Sequence, residues 1–568
     1  MKSEKKSKII FTLLAIVCIA MFCFSITPKT LQNDTYYTVK IGEYIYENGI
    51  SDLTTDQYSW HDLPYTYPHW LYDFGTYVVY RAFSWEGVYV LTIILCIILG
   101  LSLFYISNKF SKNEVVSFIV TIGAMYLLKP FVAARAQLLT FILFAWTVYF
   151  IEQFLATHKI RYAVGLIIIP LIITNVHCAV FPFYFVLYLP YIGEYFIAVL
   201  ADLDLDKRLK IIVLKIAKAF MEKVKIKKSL QEKIDKEYED INLRKVKRQK
   251  IRENPYRIKI QKNHFVLALI IVAIIAAGTG LINPAGLGAY TYVPKTMDGN
   301  TTGLINEHLP LTLLDNKEFT VAIVIFLAIL IFTDTKIKLS DLFMLGGLTY
   351  LSFKMRRQVS MFAIFCSFIL VKMISEFLAK YDKELCKKLI KIESTFVGGL
   401  LLLAIVGYVS YDLYSPIMKS EFVSTSTYPV EAAKWIKENL DLSTLKLYNE
   451  YNYGSYLLYE GIPVFIDSRC DLYTPEFNKT GKSKVTGRDI FSDALNIASL
   501  SVNYDVKFKE YGVTHVICYS NSKLALMLKN DKKYKSVYDD GNFRIYSRLA
   551  AVEGNNGNNS DEELNLDE

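Results

Sequence analysis

Charge is scarce in this 568-residue chain. Asp, Glu, Lys and Arg make up 21% of it, against 53% hydrophobic residues. Soluble domains average ~45–50% apolar even with glycine counted in, so a soluble enzyme, a disordered scaffold and a nucleic-acid factor are set aside. The eight cysteines, Cys18, Cys23, Cys96, Cys178, Cys366, Cys386, Cys470 and Cys518, include no CxxC pair, which leaves a zinc ribbon or redox motif unsupported. Most of them lie in apolar runs, where Cys packs as a small hydrophobe; a Cys470–Cys518 bridge stays open. There is no P-loop, no dinucleotide-binding fingerprint and no internal repeat. His61, His69, His177 and His308 lack the close spacing of zinc motifs, which speaks against a zinc hydrolase.

What the chain has instead is long uncharged stretches. Val90–Leu103, Ile167–Ile173, Phe265–Leu281 and Phe319–Phe332 carry almost no charge, over or near a bilayer's thickness. The expected fold is mainly α, a polytopic transmembrane helix bundle. Its spans run from Ile9–Ile26 through Gly87–Ile106, Val115–Leu128, Leu138–Phe154, Tyr162–Thr174, Ala179–Leu200, His264–Ile282, Phe319–Thr333, Leu339–Phe353 and Val359–Phe377 to Phe396–Tyr414, eleven in all. Lys2, Lys5, Lys6 and Lys8 precede the first run and hold the N-terminus in the cytoplasm. No small-x-small cleavage site follows that run, which weighs against a removed leader.

Loop charge tests the threading independently. Lys109/Lys112, Lys159/Arg161, the insert 202–262, Lys336/Lys338 and Lys387/Lys388/Lys391 all fall on the side expected to be inside. The insert alone holds 20 Lys/Arg and 10 Asp/Glu, so it accounts for the net charge of +9 and reads first as an orientation signal. An odd span count puts the first loop (27–86) and everything after 414 outside the cell membrane. The stretch 415–550 mixes a helix, Pro429–Leu440, with strands Leu445–Tyr448, Pro463–Ile466 and Val513–Tyr519 and a hairpin around Asp539-Asp540-Gly541, a small extracytoplasmic α/β domain. The tail 551–568 is acidic and rich in Asn and Gly, the composition of disorder.

Polar residues interrupt the apolar runs mainly at their outer ends. In the first loop Tyr37, Ile41, Tyr44, Ile45 and Asn48 follow helical spacing, with Asp34 on the same stripe. This predicts an amphipathic helix on the membrane surface, with Asp34 either facing the interface or capping the helix. Arg135 and Gln137 stand at one span start, Asn175 and His177 at a turn, Asn283 at a span end, Glu307 and His308 in a loop, and Lys354, Arg356 and Arg357 in a tight turn. Ionisable groups at membrane depth are costly and mark pockets or pathways. Two acids and several cations at one face suit an anionic lipid headgroup, whereas a transporter would place polar residues at the midplane and inner side as well.

The plan of a first-loop acid, many spans and an outer C-terminal domain resembles the GT-C superfamily of glycosyltransferases that use polyprenyl-linked sugars. Local segments are similar to a family of bacterial membrane proteins of that type: Asp34-Thr-Tyr-Tyr-Thr with Gly42-Glu43, Asp56-Gln-Tyr-Ser, His69-Trp70-Leu71, Arg135-Ala-Gln137, Asn175-Val-His177 and Asn283-Pro284-Ala-Gly286. Tyr451-Asn-Tyr-Gly454-Ser-Tyr and Pro463-Val-Phe-Ile-Asp467-Ser-Arg469-Cys-Asp471-Leu-Tyr473 resemble its C-terminal segments. The insert 202–262 has no counterpart. A more distant likeness is to oligosaccharyltransferase catalytic subunits, whose Trp-Trp-Asp-Tyr-Gly motif falls where this chain has Tyr451–Gly454, with Asn452 in place of the acid and neither tryptophan.

The resemblance implies an inverting transfer of a sugar from a polyprenyl-phosphate donor to a glycan, lipid or protein acceptor. Asp34 would be the general base and Glu307 a second catalytic acid that orients the acceptor or shares a divalent cation, Mg or Mn. Arg356, with Arg357 and Arg135, would bind the donor phosphate. Gln137, Asn175, His177, His308, Tyr451, Tyr453, Asp467 and Arg469 would bind substrate. Partners would be lipids, donor and acceptor, with no nucleic acid. The alternatives are another cell-envelope polysaccharide ligase or polymerase, or a non-catalytic membrane protein or transporter.

Overall fold

In a computed structural model the described residues are 2–51, 53–221, 224–303, 305–480 and 485–549; the tail expected to be disordered lies outside them. The chain divides into two compact units, one of 1–55 and 64–424, the other of 56–63 with 425 onward.

The first unit is helical. Uniformly apolar sequence forms helix here because a bilayer offers the backbone no partner except itself. A helix stands at each expected span, and among the described residues seven helical stretches are long and apolar enough to cross a bilayer, while Ile160–Val176 and Val266–Leu281 are shorter. Two expectations change. The helix of the second expected span begins at Trp70, well before Gly87, and runs to Ser111 with a break at Ser84, whose φ is +52°. Its early part is mixed polar and aromatic, which reads as loop by hydropathy alone. The expected span Ala179–Leu200 is two helices, Phe181–Val186 and Leu189–Leu203.

Asn33–Asn48 is helical, as its spacing predicts, but it is not confined to a surface. Tyr36, Tyr37, Val39, Ile41 and Ile45 are buried, and Gly42 lies so close to the helix Trp70–Ser111 that a Cβ would meet the Asp73 carbonyl. Its N-cap residue is Gln32, so Asp34 sits inside the first turn and does not cap it. At the opposite end of the bundle, Glu152 pairs with Lys372 and Lys338 at 3.2 Å, and Lys372 with Asp341 at 3.1 Å. Charges at membrane depth survive when paired in this way; this cluster ties together the helices Ala136–Thr157, Leu339–Lys354 and Val359–Tyr381.

The second unit carries a four-stranded sheet. Leu447–Tyr448 runs parallel to His515–Tyr519, which pairs antiparallel with Phe543–Arg548, and that strand pairs with Tyr534–Asp539 through a turn at Gly541, φ +89°. The expected helix is Val430–Asn439. The expected strand Pro463–Ile466 makes a single parallel bridge, from Val464 to Ser59. The first-loop segment 56–63 supplies that partner, and Trp60 donates from Nε1 to the Leu447 carbonyl at 3.0 Å. All eight cysteines are free thiols, so Cys470 and Cys518 are not bridged.

Gly454 is where two of the family-like segments touch. A Cβ there would fall 2.0 Å from the Ile466 carbonyl oxygen and 2.9 Å from the Asp467 Cα, backbone atoms that cannot rotate away. Gly454→Ala is therefore expected to destabilise the protein by about 1–3 kcal/mol, the usual cost of overpacking, as a fall in unfolding midpoint in detergent. An unchanged midpoint would mean that the two segments separate freely.

Candidate functional site

The candidate polar residues of the first unit gather at one end of its bundle because each sits at or near a helix end. Arg135 precedes the helix Ala136–Thr157 in extended conformation, which throws its side chain off the helix axis. Its Nε lies 3.0 Å from Asp34 Oδ2 and its Nη1 3.5 Å from Glu307 Oε1. The first-loop acid and the later-loop acid thus share one guanidinium. Thr35, beside Asp34, donates to the Ala134 carbonyl at 3.4 Å, which fixes the start of the first-loop helix against the segment that carries Arg135.

Glu307 and His308 are brought in by a zipped loop. Leu311 N donates to the Phe353 carbonyl at 3.0 Å, and Arg356 N to the Leu309 carbonyl at 3.1 Å. Arg356 also donates from Nε to the Pro310 carbonyl at 3.2 Å. Its neighbour Arg357 turns inward and donates from Nη1 to His308 Nε2 at 2.9 Å. A guanidinium has only donors, so that nitrogen must be unprotonated. Consistently, burial and the Arg357 charge hold His308 down at about 4, with Glu307 opposing them.

His177, 8% exposed, completes the cluster. Thr140 donates its hydroxyl to the Ala136 carbonyl at 3.1 Å and contacts His177 Nδ1 at 2.7 Å. The spent hydroxyl proton makes Nδ1 the donor and leaves Nε2 as the acceptor nitrogen. The His177 ring packs on His69 with centroids 4.8 Å apart, and burial together with the Arg135 charge holds His69 down at about 4. Two guanidinia, two carboxylates and three neutral imidazoles therefore occupy one neighbourhood. His69, which sequence reading noted only within a motif and among the scattered histidines, belongs with it.

Other candidates are placed differently. Asn175 accepts from Trp70 Nε1 at 3.1 Å and donates to the Leu171 and Ile282 carbonyls at 2.9 Å; its amide is spent joining three segments, so a substrate role does not fit it. Gln137 is half-buried in the first turn of its helix. Asn283 donates to the Gly280 and Gly286 carbonyls within its own turn.

In the second unit, Arg469 lies between Asp56 and Asp467 at 2.7 and 2.6 Å, with side-chain exposures of 2%, 0% and 0%. Tyr473 donates to Asp467 Oδ2 at 2.5 Å. Tyr453 is fully buried and donates to the Ile517 carbonyl at 2.8 Å. Asp467, Arg469 and Tyr453 are thus closed to an acceptor, and the expectation that they bind one is corrected: Asp467 and Arg469 hold segment 56–63 through Asp56, and Tyr453 ties its own segment to the strand His515–Tyr519. Only Tyr451 is half-exposed, its hydroxyl 3.5 Å from the Ser468 carbonyl.

Removing one partner of a buried charge network strands the others. Arg469→Met should therefore cost about 3–5 kcal/mol of stability, read by denaturation of the full chain, and a smaller loss than ~1 kcal/mol would place water around Asp56 and Asp467.

Glu450 gives a second prediction in this unit. Its carboxylate accepts from the Tyr453 backbone N–H, and burial pushes it from 4.5 up to about 7. The folded state then holds a proton that the unfolded state has released, so its contribution is complete below pH ~4.5 and is lost as pH rises through about 7. Glu450→Gln should flatten the fall in thermal midpoint between pH 5 and pH 8; an unchanged slope would assign the titration elsewhere.

No protein-family model matches the chain, and no curated protein sequence does. Solved structures do. The archaeal oligosaccharyltransferase AglB from Archaeoglobus fulgidus, in complex with an inhibitory peptide and a dolichol-phosphate, aligns at TM-score 0.53 and 12% identity over 94% of this chain and 74% of that one. The apo form of the Archaeoglobus fulgidus oligosaccharyltransferase aligns at 0.52 and 11%, over 95% and 75%. ArnT from Cupriavidus metallidurans, bound to undecaprenyl phosphate, aligns at 0.46 and 10%, over 96% and 98%, too weakly to add to the assignment. With its apolar helices and the sheet-bearing C-terminal unit, the chain is a membrane protein with a GT-C fold like that of the archaeal oligosaccharyltransferase.

Proposed function

We propose that the protein is a membrane glycosyltransferase that moves a sugar from a polyprenyl-phosphate-linked donor to an extracytoplasmic glycan, lipid or protein acceptor, with inversion. The observation that carries this reading is the shared guanidinium: Asp34 and Glu307 flank Arg135, and Arg357 stands beside an unprotonated His308. The fold supports it, since AglB was captured with dolichol-phosphate and a peptide.

In this scheme Asp34 takes the proton from the acceptor hydroxyl or amide. The acceptor atom bonds to the anomeric carbon as the carbon–oxygen bond to phosphate breaks, and the electron pair leaves with the polyprenyl phosphate. Arg357 binds that phosphate and neutralises the charge that develops on it. Arg357 takes the role first given to Arg356, whose Nε is turned to the Pro310 carbonyl. Glu307 orients the acceptor. His177 presents Nε2 to a donor hydroxyl.

A divalent cation between Asp34 and Glu307 does not fit this donor set. A guanidinium already lies between the two carboxylates, and among the described residues no group of three or more His, Cys, Asp or Glu side chains stands close enough to hold a metal. We assign the cation's role of holding the two acids together to Arg135.

Asp34→Asn keeps the size of the side chain and should lower transfer from a labelled polyprenyl-phosphate sugar by ~10²–10⁴, with little change in thermal midpoint because partly exposed ion pairs contribute at most ~1 kcal/mol. Turnover within a few-fold of wild type would remove Asp34 as base.

Separately, Arg357→Ala should weaken donor binding strongly and Arg357→Lys should restore only part of it, since a point charge lacks the bidentate fork, while Arg356→Ala should do less. EDTA should leave wild-type turnover unchanged; inhibition that added Mg or Mn reverses would return the metal to the site.

A further inference from the structure

The insert 202–262 folds into a helical hairpin of Leu205–Ala219 and Val224–Glu253, joined to the membrane helix Leu189–Leu203 at Asp204, where φ is +43°. One face of the first helix is zipped to the second by ion pairs. Lys207 meets Glu237 and Asp240 at 2.7 and 2.9 Å, Lys210 meets Glu237, and Arg248 meets Asp204 at 2.5 Å. Ile211, 3% exposed, packs on that face, as does Ile234 from the second helix, 2% exposed.

The opposite face should be polar if the hairpin lived in water. It is a stripe of large apolar residues at helical spacing: Leu205 52%, Leu209 61%, Ile212 52%, Val213 64%, Ile216 54% and Phe220 83% exposed. Arg208 and Lys215 fall on one flank of that stripe. The insert's excess of cations is thus set around an apolar face that the hairpin itself does not use. The stripe starts two residues beyond a helix whose own Phe196, Ile197 and Leu200 are exposed, so the lipid-facing surface and the stripe are nearly continuous in the chain.

We propose that Leu205–Ala219 lies in the headgroup region of the leaflet at which Leu189–Leu203 ends, with its apolar stripe among acyl chains and its flanking cations on anionic lipid phosphates. An apolar stripe rimmed by Lys and Arg is what that interface binds. The second helix rides above the first as a polar cover, with Glu237 and Asp240 spent in pairing with the first helix. This assignment is independent of the catalytic reading.

The test uses the full chain in nanodiscs, with an environment-sensitive fluorescent amino acid introduced singly at Ile212, Ile216 or, as a control on the second helix, Glu239. Brominated acyl chains should quench the probes at 212 and 216 several-fold more than the probe at 239 in discs containing phosphatidylglycerol, and less in pure phosphatidylcholine. Equal quenching at all three positions overturns the proposal. So does protection of 212 and 216 that tracks self-association in light scattering and not bromination, which would make the stripe a contact between copies. The exposed positions carry the probe without disturbing the hairpin core, and unaltered circular dichroism checks this.

Discussion

Two carboxylates set near each other at the end of an apolar bundle repel and lose hydration, and a cation between them is what makes the arrangement tolerable. Arg135 is that cation. Its position depends on backbone already committed elsewhere: the extended residue before Ala136, the Thr35 hydroxyl on the Ala134 carbonyl, and the loop 306–311 zipped to the turn at 353–357. Three elements distant in sequence converge on one guanidinium. The neighbouring histidines respond to the same field, since a positive charge beside a buried imidazole disfavours a second one, and the neutral rings then supply lone pairs that a protonated ring lacks.

Much of this was legible in the chain itself. Apolar stretches announce membrane helices because the bilayer's demand for internally satisfied backbone overrides finer propensities, and ionisable residues at the ends of such stretches stand out because they are expensive there. What sequence could not separate is Arg356 from Arg357. Adjacent residues in a 3₁₀ turn point about 120° apart, so one arginine holds the loop and the next enters the cluster, and only the turn's orientation decides which.

The Asp467–Arg469 segment was misread for a different reason. Conspicuous charges close together look like a binding site whether they face solvent or one another, and nothing local shows that Asp56, more than 400 positions away, completes the network. Trp70–Phe83 was hidden because its aromatic and polar mixture has the hydropathy of a loop, although its neighbours Tyr36 and Ile41 bury themselves against the same layer of the fold. The apolar stripe of Leu205–Ala219 was masked in the opposite way: counted with its neighbours, it vanished into a net charge.

The excursion of residues 56–63 has a topological consequence. The peptide crosses between the two units at 55/56, at 63/64 and again at 424/425, so the C-terminal unit is a composite of two non-adjacent stretches. A gene rearrangement that transplanted 425–549 alone would carry Arg469 with one of its two carboxylates and leave the Leu447 carbonyl without the Trp60 indole. Recombination at the helix boundary near 418, which looks like a natural seam, would therefore divide a folding unit, and segment 56–63 and the C-terminal region are bound to be inherited together.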